Sequence, residues 1–69
     1  MKTYETIGPV RVDFSGECLG CYGREGERTV VRHTACGRFA VLTARKPYRI
    51  IKLLDTERHA RAYNVKIHS

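Results

Sequence analysis

The sequence predicts a small all-β or β-rich domain of about five short strands, with a possible short helix near residues 55–62, and three observations lead there. Apolar residues recur mostly with period two, the repeat of a pleated strand. Six glycines and two prolines cut the chain into segments of strand length. At 69 residues there is room for one domain only, spanning 1–69. A core of this size rarely supplies more than about 3–5 kcal/mol, so chains of this length often add a metal, disulfides or a partner subunit.

The elements follow in order. Val10, Val12 and Phe14 alternate with Arg11 and Asp13, as on a half-buried strand. Residues 29–32 are a short β-branched run. Phe39, Val41 and Thr43 alternate with Ala40, Leu42 and Ala44, and both sets are apolar enough for a strand covered on two faces. A turn at 44–47 leads into residues 48–54, which read as a strand, with a helix beginning at Pro47 as the competitor because proline is welcome at a first helical position. Residues 55–62 are good helix formers behind Asp55 or Thr56 as a cap, or else a long hairpin loop. Tyr63, Val65 and Ile67 alternate with Asn64, Lys66 and His68, which predicts a terminal strand.

The chemistry-bearing stretch is Cys18-Leu19-Gly20-Cys21, followed after eleven intervening residues by His33-Thr34-Ala35-Cys36. Structural zinc takes four tetrahedral thiolate or imidazole ligands, and two pairs at x-x spacing supply four. The expected cofactor is one structural Zn2+ held by Cys18, Cys21, His33 and Cys36. His59 and His68 are the other histidines; His33 is preferred because its spacing to Cys36 repeats that of the first pair. The competing reading makes the three cysteines ordinary core residues, since free cysteine is among the most buried residue types.

Over residues 18–42 these two pairs resemble the zinc-ribbon superfamily, in which metal-binding knuckles sit at the tips of β-hairpins. The resemblance implies that Cys18-x-x-Cys21 is one knuckle and His33-x-x-Cys36-Gly37 the other. Tyr22 departs from the pattern, standing where a glycine often follows the second ligand.

The formal net charge is +6, unevenly placed. Residues 1–27 carry three basic against five acidic residues, a balance of −2, and residues 28–69 carry ten against two, a balance of +8. Such a basic region favours an anionic partner, either nucleic acid or an acidic protein surface. Arg38, Arg45, Lys46, Arg49, Lys52, Arg58 and Arg61 are the candidate contacts, with Tyr48 as a stacking residue. The leading expectation is a non-enzymatic nucleic-acid-binding module, and the alternative is a regulator or inhibitor docking on an acidic host protein, as small phage or mobile-element proteins do. Catalysis is disfavoured because a four-ligand zinc has no open position. No deaminase, zincin, Walker or nucleophile-elbow motif occurs either, and no small-molecule substrate is expected. An odd cysteine count argues against a secreted disulfide framework. With no signal-peptide pattern and no apolar run near the ~20 residues of a membrane span, the expected setting is the reducing cytoplasm.

Overall fold

The computed structural model describes residues 3–16 and 18–69. It contains a two-stranded hairpin, a four-stranded antiparallel sheet and one helix. The hairpin pairs β1 (Tyr4–Ile7) with β2 (Val10–Asp13). Only Gly8 and Pro9 separate the strands, and Gly8 takes φ +62°, the positive value that a tight hairpin turn of the II′ kind asks of its first residue.

The sheet is a meander of β3 (Gly20–Tyr22), β4 (Thr29–His33), β5 (Phe39–Thr43) and β6 (Ile50–Leu54), with spatial order equal to chain order. Its two central strands are apolar on both faces, as the doubly apolar pattern of β5 predicts. Val30, Ala40 and Leu42 join Val12 of the hairpin in one buried cluster. Val31 and Val41, one position along each strand, join Ala60 of the helix in a second. Alternation along a strand therefore feeds two layers, hairpin on one face and helix on the other. A bridge between Val12 and Thr34, with Ala35 N–H donating to the Arg11 carbonyl at 2.9 Å, ties the hairpin to the end of β4. Between β5 and β6 the register shifts: Val41 faces Lys52 but Leu42 faces Ile50, which leaves Ile51 as an extra residue in β6.

The helix α1 (Glu57–Lys66) resolves the choice at residues 55–62 in favour of helix. Thr56 caps it, its hydroxyl accepting from His59 N–H at 3.2 Å, and Glu57 sits favourably at the positive N-terminal end of the helix dipole. The terminal strand predicted from Tyr63, Val65 and Ile67 does not form; the helix runs through that segment. Ala60, Tyr63, Asn64 and Ile67 lie at helical spacing and point at the sheet, while Val65, 44% exposed, lies outside the contact. Asn64 is the polar member of that buried stripe, so the helical period is invisible to a count of apolar residues alone. Its burial is satisfied by Thr29, whose hydroxyl donates to Asn64 Oδ1, while Asn64 Nδ2 donates back to the Thr29 carbonyl at 3.4 Å. Among the described residues no helix is long and apolar enough to cross a membrane.

Candidate functional site

The four residues expected to ligate zinc are distributed across the sheet. Cys18 is half-buried against the hairpin-side cluster of Val12, Val30, Ala40 and Leu42. Cys21 is the central residue of β3, directly opposite Val30, and directly paired residues project from the same face, so it belongs to the hairpin side as well. His33 ends β4 two residues beyond Val31, on the helix side, and its ring packs on Phe39 with centroids 4.9 Å apart. Cys36 lies in the turn between β4 and β5, its Sγ 3.1 Å from the Thr34 hydroxyl. That hydroxyl, and then the backbone at Arg38, hold the Cys36 thiol below its ordinary pKa. The sheet thus stands between His33 and the thiols of Cys18 and Cys21. Among the described residues no group of three or more His, Cys, Asp or Glu side chains is placed to hold a metal ion.

The expected cationic contacts divide between the two ends of the sheet. Arg38, in the β4–β5 turn, pairs with Asp55 at 3.5 Å, and Arg61 pairs with Glu57 one helical turn away at 3.3 Å. Lys52 and Arg58 are exposed on β6 and α1. Arg45, Lys46 and Arg49 are exposed together in the loop between β5 and β6. Tyr48, expected to stack on bases, is half-buried and packs on Phe14 with ring centroids 4.9 Å apart, so that ring contributes to the hairpin-side core.

At the Arg45 end the topology adds residues that the sequence does not connect. Thr29 of β4 pairs with Thr43 of β5, so the loop at 23–28 and the loop at 44–49 emerge side by side. Ala44 N–H donates to the Arg28 carbonyl at 3.0 Å and joins them directly. Thr43 braces the second loop: its hydroxyl accepts from Arg49 N–H at 2.9 Å, and its own N–H donates to the Arg49 carbonyl at 3.0 Å. Arg28, Arg45 and Lys46 surround one groove of about 360 Å³ with Glu27 on its wall. Arg28 also lines a wider, open groove of about 1000 Å³, shared with Tyr22, Arg24, Glu27 and His68. The ion pairs among the described residues are those of Arg38 and Arg61, so none of Arg24, Arg28, Arg45 and Lys46 is neutralised by a carboxylate.

The wall of the wider groove is held by the same contact that docks the helix. A hydroxyl has one proton, and Thr29 gives its proton to Asn64, so His68 Nε2, 2.8 Å from the Thr29 oxygen, is the donor to it. His68 also packs on Tyr22, with ring centroids 5.7 Å apart. Gly23 makes room for it: a Cβ there would stand 2.6 Å from His68 Cε1, and φ is +111°. Only glycine suits that position. Tyr22 remains 47% exposed at the edge of the sheet.

No protein-family model matches the chain, and no curated protein or solved structure matches it.

Proposed function

We propose that the protein is a small basic binding module for nucleic acid, and that it binds through the end of the sheet where the loops at 23–28 and 44–49 meet. The observation that carries this reading is the convergence of Arg24, Arg28, Arg45 and Lys46 from two hydrogen-bonded loops onto adjoining grooves, with no ion pair to any of them among the described residues. Cations gathered on adjoining grooves without carboxylate partners repel, and a polyanion laid across them relieves that repulsion while releasing its own counterions. Arg38 and Arg61, each already paired with a carboxylate, are secondary to this surface. The role is one of binding rather than catalysis, because the grooves are open and their charges are spread along a surface instead of converging on one reacting atom.

The test is a salt titration. Wild type and a triple variant, Arg28→Glu, Arg45→Glu and Lys46→Glu, are titrated against single-stranded and duplex oligonucleotides at several salt concentrations, with circular dichroism checking that the variant keeps its fold. Each lost phosphate contact is expected to reduce the slope of log K against log salt by about 0.7–0.9. Absence of binding to either form by the wild type at low salt would refute the reading and leave an acidic protein surface as the partner for the same cations.

A further inference from the structure

We infer that the wider groove is a base-binding site for single-stranded nucleic acid, with Tyr22 as the platform on which one base stacks and Arg24 and Arg28 as the contacts to the flanking phosphates. This rests on the nucleic-acid reading above and assigns it a strand type and a residue. Tyr22 is the one tyrosine that stands 47% exposed, at the rim of a groove that also carries two unpaired arginines. Its ring is held in place from one side by His68, which Thr29 and Asn64 in turn anchor. A stacking residue that is already oriented loses little freedom when a base arrives, which is the condition for stacking to add affinity. Tyr4 and Tyr48 offer no comparable surface, since the Arg11 guanidinium lies over one ring at 5.2 Å and Phe14 packs on the other. Tyr63 faces the sheet from the helix.

The charge arrangement favours a strand over a free nucleotide. Arg28 lines both grooves, so the cationic surface continues from Arg24 past Arg28 to Arg45 and Lys46, a path for successive phosphates beside the base on Tyr22. In a duplex the bases are stacked on one another and cannot reach a side chain at a groove wall. The expected preference is therefore for single strands, with little dependence on base identity, because every base has a π face.

The decisive experiment compares an ordinary single-stranded oligonucleotide with an abasic strand of the same length, which keeps the phosphates and lacks the bases. Wild type, Tyr22→Phe and Tyr22→Ala are each titrated at fixed low salt, with ribose and deoxyribose strands run in parallel. Wild type is expected to bind the base-bearing strand more tightly than the abasic one. Tyr22→Ala is expected to lose about 5- to 150-fold on the base-bearing strand and nothing on the abasic strand, while Tyr22→Phe keeps wild-type affinity. A loss with either sugar supports the inference, and the sugar showing the larger loss identifies the natural strand. Photocross-linking of a bromouracil-containing strand to the wild type gives a readout independent of any variant, with the adduct expected on Tyr22. If Tyr22→Ala binds the base-bearing strand as tightly as wild type, or the adducts lie only on other residues, the stacking site is wrong although the phosphate reading stands. If neither strand binds, both are wrong.

Discussion

Replacing Asn64 tests the arrangement on which the groove depends. Asn64 is 2% exposed and Thr29 4%, and they bind each other at the junction of α1 and β4. Asn64→Ala removes a net hydrogen-bond contribution of about 1 kcal/mol and leaves the Thr29 hydroxyl and carbonyl short of a partner, at about 1–2 kcal/mol more. Alanine returns about 0.5 kcal/mol through its better helix propensity, so the expected loss is about 2 kcal/mol. A chain of this length has roughly 3–10 kcal/mol in total, and the corresponding fall in melting temperature is about 8–16 °C. Urea and thermal unfolding followed by circular dichroism at 222 nm measure both. Pairing Thr29→Val with Asn64→Leu replaces both polar partners by apolar groups and is expected to recover part of the loss. Val65→Ala is the control, at 44% exposure, and is expected to stay within about 0.5 kcal/mol of wild type. A terminal strand of the kind the alternation predicts would bury Tyr63, Val65 and Ile67 on one face. Val65→Ala costing more than Asn64→Ala would therefore refute the docked helix and the groove wall built on it.

Other consequences can be measured on the same protein. Leu42→Ala, at a fully buried position between hairpin and sheet, is expected to cost about 2–5 kcal/mol, against less than about 1 kcal/mol for Ile51→Ala at 37% exposure, read from the same urea curves. Cys36 is expected to react with iodoacetamide fastest of the three thiols, because a lowered pKa leaves more thiolate at a given pH; Thr34→Val raises that pKa and is expected to shift the pH–rate profile to higher pH, as mass spectrometry of the labelled peptides would report. A chelator is expected to leave sheet and helix intact, because Val12, Val31, Val41, Leu42 and Ala60 hold the layers together with no metal ligand among them. One zinc per chain together with unfolding on chelation would instead show that Cys18, Cys21, His33 and Cys36 gather, with His33 leaving Phe39.

Strands with strong alternation were legible in the sequence, and so was the double covering of β5, since apolar residues at every position have nowhere to go but two cores. The segment at 57–66 was harder because its buried stripe contains Asn64, whose partner Thr29 lies 35 residues away. β1 and β3 carry little local signal: β1 has no continuous apolar alternation, and β3 is three residues long with a glycine and a cysteine in it. Of the candidate surface, Arg45, Lys46 and Arg49 were legible as a charged turn. Arg24 and Arg28 were not, because their nearness to that turn comes from the β4–β5 register and not from sequence distance. The zinc expectation rests on x-x spacing, which aims two side chains at one point only where the backbone turns between them. Here Cys21 lies inside β3 and His33 at the end of β4, and strand geometry sends them to opposite faces.

The extra residue at Ile51 bears on how these molecules behave when crowded. β6 is an outer strand of five residues, four of them aliphatic, the kind of rim on which a neighbouring copy can lay its own strand and begin a fibre. A flush rim of that composition would favour self-association wherever many copies are brought close together, because pairing along an open edge grows with local concentration. With one residue too many on its inner side, β6 cannot present an even row of N–H and C=O groups, and Lys52 sets a charge in the middle of the row. Deleting Ile51 would straighten the rim, and the resulting chain is the one in which self-association should be sought.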